Sequence, residues 1–321
     1  MKHTPFSLPR RQVLASGLGL AAAVATGSVG AQPAGRVLRV GHQKGWLSIL
    51  KGRGTLEKRL APLGVSVTWT EFTAGPVQLE ALNVGSIDFG DVGEAPPIFA
   101  QAAGAPLVYA GTTVPRPHNE AVLLPKGSPL KTVADLKGKK IALNKGSNVH
   151  YFLVKLLEKH GLKYADVQVV FLPPADARAA FERGSVDAWV IWDPFLSAAI
   201  KTLEARVLAD AKGVANNRNY YFTSRDFAAK NTDVLKIALE EIAAIDTWAA
   251  KNKADAGVEL SKVLGLERSI VEQYLSNLRY GQLPVTADIL AEQQSIADTF
   301  FELKLIPKKL NLRHAAPVNL G

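Results

Sequence analysis

The residues best suited to hold a small anion lie between a short apolar run and a helical pattern. Lys145, Gly146, Ser147 and Asn148 follow the apolar residues 141–143, and apolar side chains then recur with the spacing of one helix face. Gly146 allows a sharp turn, and Ser147 or Asn148 can cap the helix beside Lys145. Free backbone N–H groups at the helix start predict an anion site, and the alternative is an ordinary strand-to-helix turn that binds nothing.

This pattern of strand, turn and helix occurs twice. R-V-L-R-V-G-H-Q-K-G-W at 36–46 parallels K-K-I-A-L-N-K-G-S at 139–147, and the two Lys-Gly pairs lie 101 residues apart. L-N-V-G-S-I-D-F-G-D-V-G-E-A-P at 82–96 parallels F-E-R-G-S-V-D-A-W-V-I-W-D-P at 181–194, with the Gly-Ser pairs 99 residues apart. We therefore expect two similar α/β lobes that face each other across a cleft and close by a hinge motion. Chance similarity between common βα patterns is the alternative.

Periodicity also predicts individual elements. A short buried strand is expected at 87–89, and a helix over 46–60 is weakened by two glycines. Residues 220–224 read as a late strand, and the pattern from 234 onwards is helical. The segment 116–119 is expected to be a crossover between the lobes.

Composition narrows the function classes. The 321 residues suffice for two domains, and 47% hydrophobic with 21% charged residues is typical of a globular protein. The chain has no cysteine, which excludes disulfides and thiolate chemistry. Its net charge of +9 is scattered along the sequence rather than gathered in an arm, so we expect attraction for anions and no nucleic-acid partner.

Residues 1–31 have the features of an export signal. Arg10 and Arg11 precede a weakly hydrophobic run at 13–25, and V-G-A at 29–31 fits a cleavage site. The two arginines favour a twin-arginine signal, and a Sec signal that contains two arginines is the alternative. Since no second apolar run of roughly 18 residues follows, we expect a soluble mature chain in the periplasm, beginning at Gln32.

Several longer segments resemble the periplasmic aliphatic sulfonate-binding proteins of ABC importers, over residues 37–312. They are G-H-Q-K-G (41–45), W-T-E-F-T-A-G-P (69–76), E-A-L-N-V-G-S-I-D-F-G (80–90), P-P-I-F-A-Q-A-A-G-A-P-L-V-Y (96–109), K-T-V-A-D-L-K-G-K-K (131–140), P-A-D-A-R-A-A-F (174–181) and V-D-A-W-V-I-W-D-P (186–194). Nitrate- and taurine-binding proteins share the general plan.

The resemblance implies an α/β fold of the two-lobed type II periplasmic substrate-binding class, with a hinge and an interlobe cleft. The first lobe would comprise 32–116 and 225–321, and the second 117–224. The implied function is capture of an aliphatic sulfonate for sulfur acquisition and its delivery to an inner-membrane permease with an ATPase subunit. We expect a monomer with no metal, no cofactor and no enzymatic activity.

The resemblance also implies which residues contact the ligand. They are Gln43, Lys44, Thr73, Ala74, Gly75, Pro76, Gly93, Glu94, Gly146, Ser147, Asn148, His150, Asp176, Trp192 and Asp193. The chain departs from the family pattern at Thr73 and at Asn148-Val149, which leaves open which sulfonate it binds.

A sulfonate is a permanent anion with three acceptor oxygens, so its site needs hydrogen-bond donors. The expected donors are the N–H groups of residues 146–148, the side chains of Gln43, Ser147 and Asn148, and the indole N–H of Trp192. Trp192 has the alternative of lying in the core, and His150 is expected either to donate to the ligand or to lie on the helix surface.

Three acidic residues of the set cannot hold a sulfonate directly. Glu94, Asp176 and Asp193 are expected to cap helices, to orient donors, or to bind an amine or hydroxyl at the far end of the ligand.

Other functions stay open as alternatives. An enzyme on this scaffold is disfavoured because the sequence has no G-x-S-x-G, H-E-x-x-H or G-K-[ST] motif and no histidine pair with metal-ligand spacing. A ligand-sensing domain of a regulator is disfavoured by the export signal and by the lack of a helix-turn-helix segment. Within the binding class, taurine, nitrate or a sulfate ester could replace the alkanesulfonate.

Overall fold

The computed structural model of the chain describes residues 35–315 and residue 318. The expected signal peptide at 1–31 lies outside these residues. Eleven strands form two sheets in the described part of the chain. The first sheet contains β1 (Arg36–His42), β2 (Val65–Glu71), β3 (Phe89–Gly93), β4 (Leu107–Thr113), β10 (Asn219–Ser224) and β11 (Gln282–Leu283). The second contains β5 (Glu120–Leu124), β6 (Lys140–Leu143), β7 (Gln168–Phe171), β8 (Ala188–Trp192) and β9 (Arg206–Asp210).

Helices cover both sheets. Those that connect strands are α1 (Leu47–Arg53), α2 (Thr55–Leu60), α3 (Gly75–Asn83), α4 (Pro96–Ala102), α5 (Asn148–Lys159), α6 (Pro174–Glu182) and α7 (Phe195–Leu203). The C-terminal part adds α8 (Arg225–Lys230), α9 (Thr232–Lys251), α10 (Lys253–Leu264), α11 (Arg268–Asn277) and α12 (Ala287–Glu302). None of the helices in the described residues is both long and apolar enough to span a bilayer.

The two sheets repeat one arrangement, which confirms the α/β fold of two similar lobes. The first runs β11-β4-β10-β3-β1-β2 and the second runs β9-β5-β8-β6-β7. In each, three neighbouring strands are parallel (β2-β1-β3 and β7-β6-β8), and the next strand, β10 or β5, is antiparallel to them. The carboxyl ends of the parallel strands therefore carry equivalent strand-to-helix turns in both lobes.

The repeated Gly-Ser-Ile/Val-Asp sequence has the same structural role in both lobes. The N–H of Asp88 donates to the carbonyl of Arg39 (2.7 Å), and the N–H of Arg39 donates to the Asp88 carboxylate (2.9 Å). Asp187 and Lys140 make the same pair of bonds, both at 2.8 Å. The aspartate thus begins the pairing of two parallel strands, so the sequence repeat reflects a repeated hydrogen-bond pattern.

The strand β10 corrects the expected lobe boundary. Residues 219–224 were expected in the second lobe, but they pair with β3 and β4 of the first sheet. Their buried side chains, Tyr220, Tyr221 and Phe222, fill the core on both faces of that sheet. The two crossovers between the sheets are therefore residues 114–119 and 211–218.

Three further differences concern element bounds. The strand predicted at 87–89 begins only at Phe89, as β3, because Asp88 forms the two hydrogen bonds with Arg39 that precede the strand. The predicted helix over 46–60 is two helices, since Gly54 has a left-handed backbone (φ 61°) between α1 and α2. The strand β9 was not predicted, and it pairs with β5 at the end of the second sheet.

The C-terminal helices complete the first lobe. The helical pattern predicted from residue 234 is confirmed in α9, where Val234, Leu235, Ala238, Ile242 and Ile245 form a buried stripe. They join the core formed by α1, α2 and one face of the first sheet. The second lobe has a separate core on each face of its own sheet.

The repeated aspartates provide a matched test of this fold. Asp88 is buried and also pairs with the Arg39 guanidinium (2.6 Å), whereas Asp187 is exposed. We expect Asp88→Ala to lower the free energy of unfolding by about 1–3 kcal/mol, because it removes the buried acceptor of the part-buried Arg39 N–H and of the Arg39 guanidinium. Asp187→Ala should cost less than about 1 kcal/mol, since water can replace the lost acceptor. Equal losses in urea unfolding would contradict this role.

Candidate functional site

A small cavity lies between the two lobes. Its volume is about 80 Å³, and both sheets and both crossovers contribute to its wall. The lining residues are Gln43, Lys44, Gly45, Trp46, Gly75, Asp91, Gly93, Pro96, Arg116, Asn119, Ser147, Asn148, Trp192, Asp193, Asn217, Asn219, Tyr274 and Leu278. Strand-to-helix turns that are far apart in sequence therefore meet in one place.

Eight of the residues expected to bind ligand line this cavity. They are Gln43, Lys44, Gly75, Gly93, Ser147, Asn148, Trp192 and Asp193. Both lobes contribute, as the duplicated pattern predicts. Trp192 is half-buried at the end of β8, with its ring against Phe195. Contact of these eight residues with a ligand remains a prediction.

The other expected residues do not line the cavity. Asp176 is exposed on α6 and lines a separate depression with Lys140 and Arg183. Pro76 lines an apolar groove between α3 and α4. Thr73 and Ala74 lie in the turn before α3, outside the wall of the cavity. These residues match the family's sequence motifs, but they do not line the cavity between the lobes.

The start of α5 differs in detail from the expectation. The hydroxyl of Ser147 donates to the carbonyl of Asn144 (2.7 Å) and does not cap the helix. The N–H of Gly146 donates to His150 Nδ1 (3.3 Å), and that of Ser147 to Asn144 (3.3 Å). Among the described residues, the N–H groups of Asn148 and Val149 find no acceptor. The free donors of this helix start are therefore at 148 and 149 rather than at 146–148.

His150 occupies neither of its two expected positions. Its side chain is completely buried among Phe99, Phe171 and Phe300, whose rings lie 5.3–6.5 Å from the imidazole. Since Nδ1 accepts from Gly146, the neutral ring donates through Nε2 to the hydroxyl of Tyr164 (2.8 Å). Burial lowers the pKa of His150 to about 4, and a nearby lysine acts in the same direction. The residue supports the turn behind the cavity and the contact between the lobes.

Arg116 is the most important residue that the sequence analysis missed. It is only 4% exposed, lies in the first crossover and lines the cavity. Its Nε donates to the carbonyl of Arg279 (2.9 Å), and its Nη2 lies 3.8 Å from the carboxylate of Asp246. This Nη2 has no hydrogen-bond partner in the described structure. A buried cation with an unused donor is costly unless a ligand supplies an acceptor.

The asparagines Asn119, Asn217 and Asn219 were missed as well. All three line the cavity from the crossovers or from the start of β10. Sequence periodicity carries no information on Asn119 and Asn217, because they lie in the crossovers, and it does not show which side of β10 Asn219 faces. The position of Asn119 was an available signal, since the crossover at 116–119 was expected to join the two lobes, and no comparable signal pointed to Asn217 or Asn219.

The acidic residues of the wall already have donors. Asp193 accepts from the N–H and hydroxyl of Ser197 in the first turn of α7, and from Asn277 on α11 (2.8 Å). Asp91 accepts from the side chain of Asn219 (2.8 Å). Burial raises the pKa of Asp193 to about 6 and that of Asp91 above its usual range. Of the roles expected for Asp193, helix capping matches these bonds, and the bond to Asn277 also joins the two lobes.

The lobes touch along the cleft. A Cβ atom on Gly93 would lie 2.9 Å from the Asn148 side chain, so only glycine allows this approach. Gly146 contacts Phe99 in the same way, at 3.3 Å. The Phe300 ring packs on Tyr151 of α5 with its centroid 6.0 Å away. The structure is thus a closed arrangement around the cavity.

Known proteins share this architecture. The NMT1/THI5 like family matches residues 62–256. An aliphatic sulfonates-binding protein of Escherichia coli (strain K12) is 42% identical over 306 residues, which cover 94% of this chain and 95% of that protein. This chain belongs to the aliphatic sulfonate-binding protein family.

Two further binding proteins are similar to this chain. The alkanesulfonate-binding protein SsuA from Xanthomonas axonopodis pv. citri, bound to MOPS, has 41% identity and a TM-score of 0.84, covering 89% of this chain and 99% of that one. The taurine-binding periplasmic protein of Escherichia coli (strain K12) is 30% identical over 177 residues, 54% of each protein. The fold of this family member is therefore that of the periplasmic binding proteins.

The buried position of His150 predicts a pH dependence of stability. Its pKa is about 4 in the folded chain, against 6.5 for an ordinary histidine. Between pH 4 and pH 6.5, only the unfolded chain protonates this histidine. The stabilisation that comes from the lowered pKa of His150 is therefore complete above pH 6.5 and is lost as the pH falls towards 4. We expect this effect to lower the free energy of unfolding by about 2–3 kcal/mol at pH 4.5 relative to pH 7.5. The effect should be absent in His150→Phe. Urea unfolding at both pH values measures it, and parallel losses in the two proteins would contradict the assignment.

Proposed function

We propose that this protein is the periplasmic solute-binding component of an ABC importer and that it captures aliphatic sulfonates. It would deliver them to an inner-membrane permease driven by an ATPase subunit, after export and removal of residues 1–31. The observation that carries the proposal is the buried Arg116, which lies in the wall of the interlobe cavity and whose guanidinium has an N–H donor without a hydrogen bond.

The donors around the cavity suit a sulfonate headgroup. Arg116 supplies charge, the free N–H groups of Asn148 and Val149 supply the positive end of α5, and Gln43 adds a side-chain amide. Three acceptor oxygens without a proton match a site of several donors, and charge-assisted hydrogen bonds are the stronger kind. A ligand of this type would supply acceptors for the guanidinium of Arg116 and for the free N–H groups of Asn148 and Val149, whereas the Gln43 amide already donates to Gln78 (3.2 Å).

Binding without chemical turnover is the second part of the proposal. The hydroxyl of Ser147 in the wall of the cavity donates to the backbone carbonyl of Asn144, and the described structure shows no hydrogen bond from it to a base. The carboxylates of Asp91 and Asp193 are engaged by neighbouring donors. A covalent mechanism needs a nucleophile paired with a base, and the described residues of this wall show no such hydrogen-bonded pair.

Calorimetry with a panel of anions tests the proposed ligand class. The panel contains alkanesulfonates from methane- to hexanesulfonate, together with taurine, a sulfate ester, sulfate and nitrate. We expect 1:1 binding of alkanesulfonates and binding of nitrate and sulfate weaker by at least about 100-fold, since neither carries an alkyl group to bury. Mass spectrometry after incubation should recover the ligands unchanged. Tighter binding of nitrate, or any conversion of a ligand, would overturn the proposal.

Arg116 can be tested separately. Arg116→Met removes the buried charge, and we expect the dissociation constant for butanesulfonate to rise by about 100-fold or more. Arg116→Lys keeps a charge but loses the planar fork of donors, so an intermediate loss is expected. Lys44→Met is the control, because Lys44 lines the same cavity but is exposed, and only a few-fold change is expected. Equal effects of Arg116→Met and Lys44→Met would contradict the role of Arg116.

A further inference from the structure

Four buried polar side chains meet behind the cavity, where the lobes join. We call Glu94, Glu120, Asn148 and Asn217 the hinge cluster. Glu94 follows β3 in the first lobe, Glu120 begins β5 in the second, Asn148 begins α5, and Asn217 lies in the second crossover. All four are at most 8% exposed. The cluster thus connects both lobes and one of the two segments that join them.

Hydrogen bonds link Glu120, Asn148 and Asn217 to one another, and Glu94 is held by the backbone of Arg218, the residue after Asn217. The Asn148 side-chain amide donates to Glu120 Oε2 (2.5 Å) and to Asn217 Oδ1 (3.1 Å). The amide of Asn217 donates to the carbonyl of Arg116 (3.0 Å). Glu94 Oε2 accepts the backbone N–H of Arg218 (3.1 Å). Each carboxyl group therefore has one oxygen in a defined bond.

The second oxygen of each carboxyl group has no partner. Glu94 Oε1 and Glu120 Oε1 are both buried and without a hydrogen bond in the described structure. Two carboxylates in a low-dielectric region repel each other and lack hydration, so at least one proton is favoured there. Burial raises the pKa of Glu94 to about 7 and that of Glu120 well above the usual range, and the charge of Glu94 raises the pKa of Glu120 further.

Other charged and titratable groups also face this region. Arg218 lies beside Glu94 and favours its ionised form, whereas Glu292 disfavours it. Tyr151 and Tyr220 are near Glu94, and burial holds both phenols neutral. The Arg218 guanidinium is itself engaged by Glu292 (2.8 Å). The cationic neighbour is therefore largely neutralised by another acid, which leaves the carboxyl pair as a proton acceptor.

The hinge cluster is one side chain away from the ligand cavity. Asn148 and Asn217 line the cavity, and Asn148 also bonds to Glu120. An anion on the cavity side of Asn148 and Asn217 would place a negative charge close to both carboxyl groups. Like charges in a poorly hydrated region interact strongly, so anion and carboxylate disfavour each other.

We propose that the hinge cluster is a proton-binding site coupled to the ligand cavity, so that the protein captures its anion together with a proton. This inference rests on the proposed function, because the anion is the sulfonate. The anion favours the protonated carboxyl pair, and by linkage the protonated pair favours the anion to the same degree.

The sign and the pH window follow from this coupling. A bound anion raises the pKa of a nearby carboxyl group, so affinity is highest below that pKa and falls as the pH rises through it. Since the pKa of Glu94 is about 7 in the ligand-free cavity, the effect falls between pH 6 and 8. We expect butanesulfonate to bind roughly two- to fivefold more tightly at pH 6 than at pH 8, for a pKa shift of about 0.5–1 unit. The ligand has no group that titrates in this range.

Calorimetry in several buffers measures the proton directly. Butanesulfonate is titrated into the full mature chain at pH 7 in phosphate, imidazole and triethanolamine, none of which is a sulfonate. The observed enthalpy should vary linearly with the ionisation enthalpy of the buffer. We expect an uptake of roughly 0.25–0.4 proton per ligand at pH 7. Saturable binding with an enthalpy that is the same in all buffers would overturn the proton site and leave the proposed function standing.

Substitutions locate the proton. Glu120→Gln keeps an acceptor for the Asn148 amide but cannot ionise. Glu94→Gln likewise keeps an acceptor for the backbone N–H of Arg218 and cannot ionise. Each substitution should therefore reduce or abolish proton uptake. Two control variants should leave the uptake unchanged. Glu182→Gln changes an exposed carboxylate on α6 that pairs with Arg178, and His118→Gln changes a histidine of the first crossover that pairs with Asp210.

The outcomes separate the two proposals. Uptake that persists in both Glu94→Gln and Glu120→Gln, or that disappears only in His118→Gln, would overturn the assignment to the hinge cluster. If one of the glutamine variants does not fold, the buffer series on the unaltered chain and on the other variant decides the question. No binding of any sulfonate at any pH would instead refute the proposed function itself.

Discussion

The structure depends on one buried charge at the junction of its two lobes. Arg116 lies in the first crossover with its guanidinium out of water, close to one carboxylate and bonded to one carbonyl. A cation in such a position is stable only if acceptors surround it, and here one donor remains unused. The two sheets matter to function mainly because they bring this residue, the start of α5 and the ends of β1 and β3 to the same small cavity.

Duplication explains how the chain builds such a cavity. Each lobe presents the carboxyl ends of three parallel strands, and each begins one strand pairing with the same aspartate bonds. Placing the lobes face to face brings helix starts together from both sides. Gly93 and Gly146 then allow contacts that a larger residue would prevent. The cavity is closed by side chains of both lobes and is polar around most of its wall.

The fold was largely predictable from the sequence, because the information was local. Helical stripes such as that of α9, and the repeated Gly-Ser-Ile/Val-Asp segment, depend on residues a few positions apart. Eight expected ligand contacts line the cavity for the same reason, since they lie in turns that directly follow strands. The assignment of β10 failed because its partners, β3 and β4, lie more than one hundred residues earlier in the chain.

The site was less predictable because its chemistry depends on burial. Nothing in the local sequence distinguishes Arg116 from an exposed arginine in a loop, and only the packed lobes show that it is out of water. His150 is the opposite case. Its type suggested a donor to the ligand, but the aromatic residues around it come from four different elements and keep it neutral in the core. The polar hinge cluster likewise combines residues from both lobes.

A sulfur-anomalous diffraction map of the mature chain with butanesulfonate tests the central claim most directly. The chain has no cysteine and its single methionine is Met1, so a chain that begins at residue 32 contains no sulfur of its own. The account predicts one anomalous peak per molecule, within hydrogen-bonding reach of Arg116 Nη2 and of the start of α5 through the sulfonate oxygens. A peak elsewhere on the protein, or an empty cavity at saturating ligand, would contradict it.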